Sequence, residues 1–125
     1  MAKDLRLTLR VDMDSEHALG VGKIRLMELI DESGSISKAG KAMGMSYRRA
    51  WLLVDDLNQR FATPLVETQR GGGGGGGAAL SETGRKVVTL YRRMEKACLK
   101  ANGATMEEMA RLMSGRAGKA ASVSK

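Results

Sequence analysis

The chain has 125 residues, with 21 Lys and Arg against 14 Asp and Glu. The formal net charge of +7 and pI near 9.9 favour a polyanionic partner, nucleic acid ahead of a membrane surface. One cysteine, Cys98, and one histidine, His17, leave neither an internal disulfide framework nor a zinc site built on Cys and His spacing, and a reducing compartment suits such a chain. There is no apolar run long enough for a membrane span, and the first residues alternate charge with leucine where a signal peptide would be apolar, so a cytoplasmic protein is expected.

From Asp4 to Met13, Leu5, Leu7, Leu9 and Val11 alternate with Arg6, Thr8, Arg10 and Asp12, a period of two that predicts one half-buried strand. Residues 14–22 read as a loop that turns the chain, with His17 on its surface. Helical spacing then begins at Gly22 and runs to Glu32, with Ile24, Met27, Leu29 and Ile30 apolar, and stops at Ser33-Gly34.

The stretch from Ser35 to Phe61 reads as two short helices joined by a sharp turn at Gly44-Met45. Ser35 is placed to cap the first, which carries Ile36, Ala39 and Met43. Ser46 is placed to cap the second, which carries Ala50, Leu53, Val54, Leu57 and Phe61. Small residues, Ala39, Gly40 and Ala42 against Ala50, let the axes cross closely, which is the helix-turn-helix arrangement. The first turn of its second helix presents side chains to base edges in the major groove, and here it holds Ser46, Tyr47, Arg48 and Arg49. A guanidinium matches both guanine O6/N7 and phosphate, so one arginine is expected to read sequence and the other to anchor, in an order the residues leave open. Core or edge packing is the favoured reading of Trp51, with contact to DNA sugars or a thymine methyl as its alternative. Between Ser35 and Arg70, Lys38, Lys41, Arg48, Arg49, Arg60 and Arg70 outnumber Asp55, Asp56 and Glu67.

Pro64 ends the helical structure, and Leu65, Val66 and Thr68 form a β-prone run before Arg70 and seven glycines, Gly71 to Gly77. A nucleotide-binding loop needs Lys-Ser or Lys-Thr after the glycines, whereas Ala78-Ala79-Leu80 follows. A flexible linker remains open, but the short β-prone flanks favour a hairpin, the wing of a winged helix, which the N-terminal strand would complete as a small sheet. At its tip Arg70 is placed to enter a minor groove. Ser81 then caps the longest helix, which runs to Ala101 with Val87, Leu90, Tyr91, Met94, Ala97, Cys98 and Ala101 in a stripe. Homodimerisation through residues 81–113 is the expected use of that stripe, and folding back on its own domain is the alternative. A break is expected at Asn102-Gly103, followed by a shorter amphipathic piece with Met106, Met109, Leu112 and Met113.

Taken together, GSISKAGKAMGMSYRRAWLLVDDLN, the glycine-rich tip after LVETQR and ALSETG at the head of a long helix resemble the N-terminal DNA-binding domain of the molybdate-responsive ModE regulators. More distantly they resemble the LysR-type winged helix. The resemblance implies a dimeric winged-helix transcription factor that binds double-stranded DNA, with Ser46, Tyr47, Arg48 and Arg49 on the recognition helix and Arg70 at the wing. Full-length members of that family carry C-terminal domains for molybdate or tungstate, while this chain reaches Lys125 soon after the long helix, so no residue is assigned to oxyanion binding.

The expected fold is thus mainly α with a small β-sheet, a winged helix-turn-helix plus a long C-terminal dimerisation helix. Residues 1–80 form the DNA-binding domain, 81–113 the dimerisation region and 114–125 a disordered basic tail. The DNA-binding candidates are Ser35, Ser46, Tyr47, Arg48, Arg49 and Arg70. No catalytic or metal-binding residue and no cofactor is expected, and the chain is not read as an enzyme. A sequence-specific regulator is the leading function, with a non-specific or architectural nucleic-acid binder as the alternative.

Overall fold

A computed structural model of the protein describes residues 5–14, 16–69 and 77–118. Gly71–Gly76, Arg70 and the last residues of the basic tail lie outside the described residues. Among those described, two compact units are present: Leu9–Arg92, and a second that draws on the chain before Leu9 and from Arg93 onward.

The larger unit is built on α1 (Val21–Ser33), whose Ile24, Leu26, Met27 and Ile30 are fully buried. Leu26 joins a stripe that periodicity alone assigned to Leu29, which is only half-buried. Next comes α2 (Ile36–Ala42), contributing Ile36, Ala39 and Gly40, and then α3 (Tyr47–Arg60), contributing Ala50, Val54 and Leu57. Burial of the Ile, Leu, Met and Val side chains among these, each contributing about 1.5–3 kcal/mol, holds the three helices around one core. Leu65, Val66, Ala78, Leu80 and Tyr91 close it from the other elements.

The wing is present as expected, with β3 (Val66–Gln69) antiparallel to β4 (Gly77–Leu80) and Val66 opposite Leu80. It is fixed at both ends. The backbone N–H of Ala78 donates to the carbonyl of Gly34 at 2.9 Å, tying β4 to the α1–α2 turn. On the other strand, Asn58 of α3 accepts from the N–H groups of Leu65 and Val66 at 2.8 and 3.0 Å and donates to the Val66 carbonyl at 3.1 Å. That one side chain replaces a ladder partner for three backbone groups, so α3 and the wing are a single construction.

The N-terminal expectation is corrected. The strand β1 covers only Val11–Met13 and pairs with β2 (Glu16–Leu19), which lies inside the segment read as a loop. These strands form their own two-stranded sheet and do not complete the wing's. Alternation reports which side of a strand is apolar, not which strand supplies its hydrogen bonds, and Glu16–Leu19 carries no alternation of its own to be recognised by.

Ser81 is buried and starts α4 (Glu82–Ala101) as expected: its Oγ accepts from the N–H of Gly84 at 2.9 Å and donates to the Pro64 carbonyl at 2.7 Å. Tyr91 is fully buried, its hydroxyl donating to the Leu9 carbonyl at 2.6 Å. The helix ends before Asn102, and α5 (Gly103–Gly118) follows. It is shorter than α4, as expected, but runs past Met113 into the first residues of the segment read as a disordered tail.

Candidate nucleic-acid interface

Ser35 adopts an extended backbone, and its side chain accepts from the N–H of Lys38 at 3.0 Å, starting α2. Ser46 does the same for α3, accepting from the N–H of Arg49 at 3.1 Å. Each cap satisfies one of the donors that a helix start leaves free, which fixes where the first turn begins. Between them Gly44 has φ +73°, a left-handed conformation that a Cβ disfavours. A Cβ on Gly40 would lie 2.8 Å from that of Ala50, so the close crossing of α2 and α3 depends on a glycine there.

These local features decide what faces solvent. With Ala50, Val54 and Leu57 buried, the opposite face of α3 presents Arg48, Leu52, Asp55 and Gln59. Tyr47 and Trp51 lie along one flank and Arg49 on the other, and all three are exposed. Of the two packing roles expected for Trp51, the structure shows the edge and not the core: the residue is 37% exposed. Its Nε1–H donates to the Tyr47 hydroxyl, and the two rings meet edge to face with centroids 6.3 Å apart. Together they line an open groove of about 320 Å³ whose other walls are the first turn of α2, with Ser35 and Ser37, and the wing, with Thr68 and Gln69.

Charge separates this surface from the rest of the three-helix scaffold. Lys23 pairs with Asp56 at 2.6 Å, Arg60 with Asp56 and Glu16 at 3.0 and 2.6 Å, and Arg25 with Glu28 at 3.4 Å. Arg60 and Lys23 hold the Asp56 carboxyl below its usual range, in that order of influence. Lys38, Lys41, Arg48 and Arg49 are exposed. None of their side chains has an ion-pair or hydrogen-bond partner among the described residues. All four lie on α2 or the first turn of α3, so positive charge is left uncompensated where the second helix begins. Among the described residues no cluster of His, Cys, Asp or Glu suited to a metal ion is present, and no helix is long and apolar enough to cross a membrane.

The structure thus places Ser35 and Tyr47 on the groove, Ser46 as the cap of α3, Arg48 on the solvent face of that helix and Arg49 on its other flank. Arg70 lies outside the described residues. Reading by motif passed over Leu52, Ser37, Thr68 and Gln69. Leu52 carried a visible signal, as an apolar residue off the core stripe, whereas Thr68 and Gln69 join the groove only because Asn58 and Gly34 hold the wing beside α3.

Residues 21–85, from the start of α1 through the wing to the first turn of α4, match the bacterial regulatory helix-turn-helix protein, lysR family. The chain is also similar to the molybdenum transport protein ModE of Azotobacter vinelandii, 40% identical over 87 residues that cover 70% of this chain and 32% of that protein. The molybdenum-pterin-binding protein MopA of Rhodobacter capsulatus is 40% identical over 85 residues, 68% of this chain and 32% of MopA. The DNA-binding transcriptional dual regulator ModE of Escherichia coli K12 is 40% identical over 69 residues, 55% of this chain and 26% of that regulator. Each match spans a third or less of the relative's length. The family match covers the elements that build the unpaired basic surface, and the chain belongs to the lysR family of bacterial regulatory helix-turn-helix proteins.

Proposed function

We propose that the chain is a sequence-specific DNA-binding transcriptional regulator acting in the cytoplasm, not an enzyme, that reads duplex DNA with the first turn of α3. The observation that carries this reading is the set of unpaired cations, Lys38 and Lys41 on α2 with Arg48 and Arg49 in the first turn of α3, whose start is capped by Ser46 and whose opposite face is locked in the core. Arg48, opposite the buried stripe, is the residue assigned to base edges. Arg49 on the flank is assigned to phosphate, with Ser46 and Tyr47 beside them, Ser35 shaping the adjacent turn and Arg70 at the wing. In this reading residues 1–80 bind DNA, 81–113 join two copies, and 114–125 form a basic tail. Leu90, Met94, Ala97 and Ala101, exposed along α4 at spacings of four and three, support the dimer because they form an apolar seam left exposed among the described residues.

The names of the relatives connect them with molybdenum, and regulation linked to molybdenum is the physiological setting we infer. No residue of this chain is assigned to the oxyanion. Selection of bound sequences from random duplexes tests the function, with the expected product an inverted repeat whose half-sites lie about 34 Å apart. Equal affinity for scrambled duplexes at unchanged salt dependence would replace it with architectural binding.

A further inference from the structure

The exposed face of α3 is not purely polar. Tyr47 is 56%, Trp51 37% and Leu52 56% exposed, with Tyr47 and Trp51 in contact on one side of Arg48 and Leu52 one turn along the helix from it. The indole N–H is already donated to the Tyr47 hydroxyl, which leaves Trp51 an apolar edge with no donor to offer. Arg48 is on the same exposed side of α3, and unpaired Lys38, Lys41 and Arg49 add positive charge on α2 and the first turn of α3, which favours a polyanion as the occupant. The apolar group that a duplex displays in its major groove is the thymine C5-methyl.

We propose that Tyr47, Trp51 and Leu52 form an apolar reading surface for thymine methyl groups, so that part of the sequence preference comes from methyl contact and not from hydrogen bonds. This assignment rests on the DNA-binding reading above and adds a specificity determinant to it. Arg48 supplies polar readout next to a surface that rejects the bare C5–H of cytosine or uracil by leaving an uncovered gap against the ring edges.

The test uses the full chain and the duplex obtained by selection, with each thymine in turn replaced by deoxyuridine, which removes one methyl and keeps every hydrogen-bonding group. At one or two positions per half-site, affinity is expected to fall about fourfold, the factor that corresponds to burying one methyl-sized group. Trp51→Ala and Leu52→Ala, both exposed positions that leave the core intact, are expected to bind thymine and deoxyuridine duplexes equally at those positions. The fluorescence of Trp51, the single tryptophan, is expected to change when the thymine duplex is added. Wild-type affinity unchanged at every substituted position, or discrimination that survives in both variants, overturns the methyl contact and leaves DNA recognition standing. If no duplex is enriched above background, both proposals fail.

Discussion

Arg48 and Arg49 are neighbours in sequence with different assignments, because successive residues on a helix point about 100° apart. Arg48 lies opposite Ala50, Val54 and Leu57, while Arg49 lies on the flank that continues to Asp56 and Arg60. Arg48→Ala is expected to cost about 1–3 kcal/mol on the selected site and to relax preference at one base pair. For Arg49→Ala the expected loss is uniform across sequences, with the slope of log affinity against log salt smaller by about one. Anisotropy titrations of both variants against selected and scrambled duplexes, at several salt concentrations, separate the two roles. A uniform loss from Arg48→Ala would exchange the assignments.

At the scale of elements, the recognition surface depends on joints made by single residues. Asn58 connects α3 to β3 through three hydrogen bonds at 2.8–3.1 Å, and without its side chain two backbone N–H groups lose their only recorded partner. Asn58→Ala is accordingly expected to destabilise by about 2 kcal/mol, read as a shift of the urea midpoint at unchanged slope. Gly84 is a second joint: a Cβ there would fall 2.2 Å from the Leu65 carbonyl oxygen, backbone that cannot swing aside. Gly84→Ala should cost on the order of 1–3 kcal/mol through forced displacement of α4 from the strand. Neither joint was visible in the sequence, although Ser35, Ser46 and Ser81 were. Each of those serines acts on backbone three residues ahead, so its role is written in local order. Asn58 and Gly84 act on residues seven or more positions away in the chain, whereas the local pairing of β1 with β2 was missed because Glu16–Leu19 carries no alternation. Trp51 was legible as far as core or edge, and its position relative to Ala50 and Val54 selects the edge.

At the scale of the whole molecule, charge has two separate tasks. Paired groups tie helices together, as where Arg92 of α4 donates twice to Glu28 of α1 at 2.9 and 3.0 Å, and unpaired groups on α2 and α3 face outward. Arg92, foremost, and Arg25 hold the Glu28 carboxyl below its usual range, and Asp56 is lowered by Arg60 and Lys23. A carboxylate whose folded pKa lies below its unfolded value stabilises the fold above the unfolded pKa, and that stability is lost as pH falls through the folded one. Stability should therefore hold from neutral pH down to about 5 and decline below it, where unfolded carboxylates begin to bind protons first. Glu28→Gln is expected to lower stability at pH 7 by no more than about 1 kcal/mol, since the pair is partly solvated, and to flatten the decline below pH 5. Urea midpoints measured across that range read both effects.

The exposed seam on α4 gives the last prediction, which depends on assembly. Leu90 and Met94 are 37% and 43% exposed, and with Ala97 and Ala101 they repeat at the interval that brings one side of a helix against a partner helix. Small residues at two of the four positions allow close approach, while the leucine and methionine supply most of the apolar area. If two copies cover this seam, Met94→Lys places a charge in it without disturbing Tyr91, which holds α4 to the core from the neighbouring face. Sedimentation equilibrium is expected to give a dimer for the wild-type chain and a monomer for Met94→Lys, with thermal unfolding of the smaller unit lowered by loss of the interface. The variant should also bind a single half-site as the wild type does but lose the tighter binding of the inverted repeat, because covalent linkage of half-sites helps only a protein that holds two reading heads at once. A Met94→Lys chain that remains dimeric and keeps its preference for the repeat would move the interface away from this seam and leave the α3 surface untouched.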